Sequence, residues 1–316
     1  MKPVIPFIHH ISAIVGNPQL NLDFYALVLG MRLVKQTVNF DDPGTYHFYF
    51  GQYDGQPGSL LTFFPWSDAY PGTVGAGQVS TISLIIPPRS MEFWKKRIET
   101  FGLTTTLVKR FNETYLAFKD PHGLNLELVE RGQGPLSHYE TDDVTREVAI
   151  KGIAGVILNS AFYLQTGALL ENYFQFQYLG MDGDYIRYQS ESELGNTLDL
   201  YTPNLQPGSY GVGTIHHLAF ATPSQTTQLM HREALLKDGF QVTSVLDRKY
   251  FQSIYFREKG SILFEIATEG PGFQVDEPLE NLGESLQLPY GLQGQRREIV
   301  KILKPIVLRP HGGKKI

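Results

Sequence analysis

The chain of 316 residues contains no cysteine. Disulfides, thiolate metal sites and a cysteine nucleophile are therefore excluded, and any bound metal must rely on histidine, carboxylate or similar donors. A basic block is also missing. Lys and Arg number 27 against 32 Asp and Glu, and the net charge of −5 is spread along the chain, so a nucleic-acid partner is not expected. No apolar run approaches the roughly 20 residues that a membrane-spanning helix needs, and no membrane partner is expected either. Residues 1–20 show no basic segment followed by an apolar one, so they do not read as a secretory signal, and a cytoplasmic location is expected.

What is present is turn formers and aromatics. The 31 glycines, 19 prolines and 12% aromatic content fit many short strands joined by turns, and 42% hydrophobic residues suffice for a substantial core. Four modules of strand, helix and three strands can be read. The first has a strand at Phe7–Val15 and a helix at Asn17–Leu29, with Asn17 as N-cap, Pro18 at N1 and Gly30 as the C′ glycine. Strands follow at Met31–Val38, Thr45–Phe50 and Ser59–Phe64. The second has a strand at Ser80–Ile86, a helix at Ser90–Phe101 and strands at Thr104–Lys109, Glu113–Lys119 and Leu124–Val129. The third has a strand at Gly152–Asn159, a helix near Gly167–Tyr178 ended by Gly180, and a strand at Thr197–Tyr201. Its Tyr178-Leu179-Gly180-Met181 echoes Val28-Leu29-Gly30-Met31. The fourth has a strand at Thr214–Thr222, a helix at Ser224–Lys237 capped by Ser224, and strands at Thr243–Asp247, Gln252–Arg257 and Ile262–Ala267. The expected fold class is α+β, with four βαβββ modules. Residues 7–130 form a first domain of two modules, 131–150 a linker, 151–268 a second domain of two modules, and 269–316 a Gly/Pro-rich wrap with a short helix at Gln295–Leu303.

Two short stretches read almost alike: Ile8-His9-His10-Ile11 and Ile215-His216-His217-Leu218. A lone histidine on an apolar strand is usually a hydrogen-bonded core residue, but a duplicated pair suggests a metal held between two copies of one unit. Strand alternation directs one member of each pair into a concave face and the other away or to the rim. The last strand of a module offers a further ligand position, held by Glu265 in the fourth module and Glu127 in the second. Phe63 and Leu200 are expected there in the first and third. At the first-strand position stand His10, Thr81, Gly152 and His217. Only the pairing of module one with module four then gathers three ligands, His10, His217 and Glu265, and leaves module two to pair with module three. Glu127 becomes a structural or vestigial carboxylate. Two histidines and one carboxylate with open positions are the ligand set of non-haem Fe(II) oxygenases, and Mn(II) accepts the same set.

These motifs, with Phe264-Glu265-Ile266 and the Phe-Tyr-x-x-Val-Leu-Gly-Met run from Phe24 to Met31, resemble the vicinal oxygen chelate superfamily of glyoxalases and extradiol dioxygenases. Within it the chain is similar to the ring-cleaving branch of MhqO-like proteins and hydroquinone 1,2-dioxygenases. The resemblance implies an Fe(II) on His10, His217 and Glu265, with O2 and a hydroquinone- or catechol-type aromatic as partners. It also implies supporting roles for His9, Ser12, His216, Arg248 and Tyr255, with serine at position 12 where better-known relatives carry threonine. His9 or His216 would move protons, Arg248 would hold an anionic oxygen, and Tyr255 would donate a hydrogen bond. The alternative for Arg248 is a surface ion pair, and for Tyr255 a packed strand aromatic. His47, His122, His138, His231 and His311 are given no role. A metal-dependent lyase or isomerase of glyoxalase type would need a fourth ligand where Phe63 is expected, and a metal-free resistance protein of the same fold would not need the three ligands. Exposed sheet edges leave room for a homodimer.

Overall fold

Each module begins with a strand that is buried throughout, save for the half-buried His216 in the fourth, and these four strands organise everything else in the computed structural model, which describes residues 7–308. Module one comprises β1 (Ile8–Val15), α1 (Pro18–Asp23), β2 (Arg32–Val38), β3 (Tyr46–Gly51) and β4 (Leu60–Pro65). Module two comprises β5 (Gln78–Ile86), α2 (Met91–Thr100), β6 (Thr106–Arg110), β7 (Glu113–Lys119) and β8 (Asn125–Glu130). Module three comprises β9 (Gly152–Asn159), α3 (Tyr163–Asn172), β10 (Gln177–Asp182), β11 (Tyr185–Gln189) and β12 (Thr197–Tyr201). Module four comprises β13 (Thr214–Thr222), α4 (Gln225–Lys237), β14 (Leu246–Asp247), β15 (Gln252–Arg257) and β16 (Leu263–Thr268).

Two eight-stranded sheets result, ordered β14-β15-β16-β13-β1-β4-β3-β2 and β10-β11-β12-β9-β5-β8-β7-β6. The antiparallel β1–β13 seam joins module one to module four, and the β5–β9 seam joins module two to module three, as the ligand count requires. The segments that carry the chain between the sheets, 66–77 and 202–213, run side by side through bridges such as Thr73–Ser209 and Ala76–Pro207. Backbone approaches backbone so closely there that a Cβ on Gly75 would lie 2.4 Å from the Gln206 carbonyl oxygen, so only glycine fits. Among the described residues no helix is long and apolar enough to cross a membrane.

Alternation along β13 separates the two faces of the first sheet. Leu218 and Phe220 point to the helix side, where Phe220 packs 4.4 Å from Phe174 and 5.2 Å from Phe264, centroid to centroid. Burying rings of this size supplies about 2–3 kcal/mol each. His217 and Ala219 point to the concave side, with Tyr49, Phe251 and Ala267 beside Ala219.

Several local expectations change. The first helix begins as expected, with Asn17 accepting the Gln19 and Leu20 amides and Pro18 in the first turn. It then widens into a π-turn over Phe24–Val28 instead of continuing as α-helix. The third helix is Tyr163–Asn172, four to six residues earlier than expected, because Ser160 turns the chain by accepting the Phe162 amide at 2.9 Å. Tyr178-Leu179-Gly180-Met181 therefore lies in the edge strand β10 and does not end a helix. Of Thr243–Asp247 only Leu246–Asp247 pairs as strand. The tail runs back over the first sheet through short 3-10 turns and α5 (Arg296–Ile302). Residues 309–316 of the expected wrap, His311 among them, lie outside the described residues.

Candidate metal centre

The site forms where β1, β13 and β16 lie side by side. β13 pairs antiparallel with β1 and parallel with β16, which puts Ser12 opposite His217 and Ala219 opposite Glu265. His10 Nε2 lies 3.3 Å from His217 Nε2 and 3.4 Å from Glu265 Oε2, and His217 Nε2 lies 2.9 Å from the same oxygen. All three side chains are buried, and among the described residues they form the single group able to hold a metal ion. Burial alone would raise the Glu265 carboxyl; His10 and His217 outweigh it and hold the group well below the usual carboxylate range. Its Oε1 accepts the Ser253 hydroxyl at 2.5 Å, while the buried Oε2 meets only the two imidazole nitrogens, neither in hydrogen-bond geometry. A buried carboxylate oxygen left in that state is costly unless a cation meets it. The donor set, one carboxylate oxygen and two imidazole nitrogens aimed at one point, fits a divalent metal.

Of the two places open to the neighbouring histidines, turned away or at the rim, neither ring turns away: each lies beside its ligand ring. Between Ile8 and His10 the ladder advances two residues on β1 for one on β13, and between Ser12 and Ala13 it advances two on β13 for one on β1. His9 and His216 are the extra residues, so each His-His pair sits on a β-bulge, a device that re-aims side chains. His9 Nδ1 lies 2.9 Å from His10 Nδ1, and His216 Nδ1 lies 2.7 Å from His217 Nδ1. Each outer ring thereby occupies the far nitrogen of an inner ring and leaves the inner Nε2 facing the centre. Burial pulls both outer histidines down to about 3, so they are neutral at pH 7.

A cavity of about 460 Å³ opens onto His10 and His217. Its walls include Phe40, Tyr49, Phe64, Trp66, Phe251 and Tyr255, and its polar groups include His47, His216, Arg248, Asp41 and Asp42. Phe251 packs edge-on 5.1 Å from His9 and tilted 5.2 Å from His10, centroid to centroid. Of the supporting residues implied by the sequence, His216, Arg248 and Tyr255 line the cavity. His9 sits behind His10, buried against Phe251. Ser12 is fully buried and reaches the cavity only through a chain: its hydroxyl meets Thr62 at 2.6 Å, and Thr62 meets His47 Nε2 at 2.9 Å.

His47, given no role from sequence, therefore belongs to the wall. Its Nδ1 meets the Tyr49 hydroxyl at 3.0 Å, and burial holds it well below the ordinary histidine value. The readable signal was its i, i+2 spacing to Tyr49 on β3. Phe251 and Asp41 gave no such signal, because they lie on turns.

The ladders also correct the module comparison. Superposing the β5–β9 seam on β13–β1 equates Thr81 with His217, Ser80 with His216 and Gly155, not Gly152, with His10. On the last strands Thr62, not Phe63, and Asp199, not Leu200, match Glu265 and Glu127. The counterparts shift by one residue because the turns before these strands differ in length: Glu265 lies five residues after Gly260, but Thr62 and Asp199 lie four after Gly58 and Gly195. A Cβ on Gly155 would meet the Thr197 carbonyl oxygen at 2.0 Å, so no ligand side chain fits at the third module. The second concave face is closed instead by ion pairs. Arg110 binds Glu127 at 2.6 Å and Asp199 at 2.8 Å, and Arg187 binds Asp199 at 2.7 Å and Glu113 at 2.6 Å.

Comparison with known proteins agrees with this geometry. The model of the glyoxalase/bleomycin resistance protein/dioxygenase superfamily matches residues 7–128. MhqO of Bacillus subtilis (strain 168), named provisionally as a ring-cleaving dioxygenase, is 49% identical over 302 residues, 96% of this chain and 97% of its own. The chlorohydroquinone/hydroquinone 1,2-dioxygenase of Sphingobium indicum is 33% identical over 317 residues, covering 95% and 97%. The crystal structure of a provisional dioxygenase from Bacillus subtilis superposes with a TM-score of 0.96 at 48% identity, covering 98% of this chain and 99% of that one.

Proposed function

Because the chain belongs to the glyoxalase/bleomycin resistance protein/dioxygenase superfamily, in close kinship with the Bacillus Mhq proteins, we propose that it opens a hydroquinone- or catechol-type ring with O2 at an Fe(II) held by His10, His217 and Glu265. The observation that carries the reading is the open side of this triad, which faces a cavity walled by aromatic rings. Mn(II) accepts the same donors. When bound, the metal supplies the positions where a phenolate oxygen and O2 meet and the path by which the ring's electrons reach oxygen.

The chain's own residues do the rest. A histidine bound through Nε2 carries its proton on Nδ1, so His217 donates to His216 Nδ1 and leaves the His216 proton on Nε2. His216 thus enters the cavity as a neutral donor for an oxygen gaining negative charge. Tyr255 is raised above its ordinary value by burial, so its hydroxyl stays protonated and donates as well. Arg248, always cationic, stands 5.5 Å over the Tyr255 ring and offers a fixed charge to the ring's second oxygen. The aromatic walls stack on the substrate and exclude water.

A four-ligand lyase is not favoured. Thr62 stands where a second carboxylate would be needed, and its hydroxyl is spent on Ser12 and His47.

The test is oxygen uptake after anaerobic Fe(II) loading, with hydroquinones and catechols as substrates. Uptake with a new ring-opened chromophore, lost in His217→Ala, is expected. No uptake with any diphenol by protein that holds iron would overturn the reading.

A further inference from the structure

Among the described residues the cavity has one permanently cationic lining residue, and that charge is already engaged. Arg248 Nη2 meets Asp41 Oδ2 at 3.2 Å, its guanidinium lies 5.8 Å from the Phe40 ring and 5.5 Å from the Tyr255 ring, and it is 17% exposed against 77% for Asp41. The guanidinium is therefore held inside the cavity while its partner caps it from the rim. A second carboxylate, Asp42, lines the same mouth. The Thr45 hydroxyl, at 2.7 Å, and the Trp66 indole N–H, at 3.0 Å, fix it and hold it below the ordinary carboxylate value. Leaving the metal and all histidines aside, the charged side chains that line the cavity among the described residues are Asp41, Asp42 and Arg248, two negative and one positive.

We infer that Asp41 is a specificity-determining residue: by occupying Arg248 and lending its own charge to the mouth, it restricts the cavity to uncharged diphenols and rejects diphenols that carry a ring carboxylate. A free arginine at this depth would be a ready fork for a carboxylate. With Asp41 in place, an incoming carboxylate must displace one anion and pass another. A neutral hydroquinone meets neither cost, and its hydroxyl can still take a remaining N–H of the guanidinium. Selectivity then comes from a repulsive element as much as from attraction. This rests on the dioxygenase reading, which it refines.

The test is anaerobic titration calorimetry of the Fe(II)-loaded protein with hydroquinone and with 2,5-dihydroxybenzoate. The wild type should bind hydroquinone at least tenfold more tightly. Asp41→Asn, at an exposed position where folding is not at stake, should narrow that ratio about tenfold, mostly by tighter binding of the carboxylate. Adding Arg248→Gln to that variant should abolish the gain, which assigns it to the freed guanidinium. Equal affinities in the wild type, an unchanged ratio in Asp41→Asn, or a gain that survives Arg248→Gln would each overturn the inference while leaving the dioxygenase reading intact. Absence of hydroquinone binding by iron-loaded wild type would overturn both.

Discussion

Replacing Glu127 by leucine removes one of three carboxylates that face three arginines inside the second sheet. Glu127 accepts Arg110 through both terminal nitrogens, at 3.0 and 2.6 Å, and Ser83 at 3.0 Å; both members of the pair are about 7% exposed or less. Breaking a buried pair from one side costs about 3–5 kcal/mol, because the surviving charge keeps its desolvation penalty. Here Arg110 retains Asp199 at 2.8 Å and stacks 3.7 Å over Tyr115, so the lower end, about 3 kcal/mol, is expected. Equilibrium urea unfolding reads this as a lower midpoint at unchanged slope. Iron content and oxygen uptake of the folded variant should match the wild type, because Glu127 serves only the structure of the sheet. A loss below about 0.5 kcal/mol would refute the buried-pair argument. A fall in iron stoichiometry would refute the claim that this face holds no metal.

Three further outcomes are expected. Ser253→Ala removes the hydroxyl that orients Glu265 through Oε1 and should weaken iron binding about 10- to 100-fold by competition with a chelator, with little change in unfolding. Asp276→Ala strips the partner shared by Lys35, Lys249 and the Tyr250 hydroxyl; it should cost about 2–3 kcal/mol and lower turnover, because Arg248 and Phe251 flank the Lys249-Tyr250 turn that the tail holds. The Glu113 carboxyl would be raised by burial, but Arg131 outweighs this and holds it down at about 2, against an ordinary 4.5. Its contribution is therefore present above pH 4.5 and lost as pH falls through 2, so the stability difference between wild type and Glu113→Gln should shrink across that window in acid unfolding curves.

Much of the fold was legible because its signals are local. Buried strands read as apolar runs, Asn17 and Ser224 carry the capping chemistry of their helices, and the repeated His-His pair with one favourable carboxylate count fixed which modules face each other. What was not legible depends on register. One extra residue in a ladder moves a side chain to another neighbour, and neither bulge announces itself in the sequence. His9 and His216 therefore lie beside the ligand rings where alternation sends them elsewhere, and Gly155, Asp199 and Thr62 replace the expected counterparts. The cavity walls draw on turns distant in sequence, such as Asp41 and Phe251, whose placement depends on tertiary contacts, Asp41 with Arg248 and Phe251 with Tyr49. The helix misread at Gly167–Tyr178 has the same origin: a four-residue likeness to the first module carried less information than the Ser160 turn that starts the helix.

In the proposed reaction His10, His217 and Glu265 together hold one catalytic metal. The most direct test is iron analysis of anaerobically loaded, desalted protein beside Glu265→Ala and His10→Ala, each checked for folding by circular dichroism. One iron per chain in the wild type, with none retained by either folded variant, is the predicted result. Iron retained at full stoichiometry in either variant, or none in the wild type, would contradict the account.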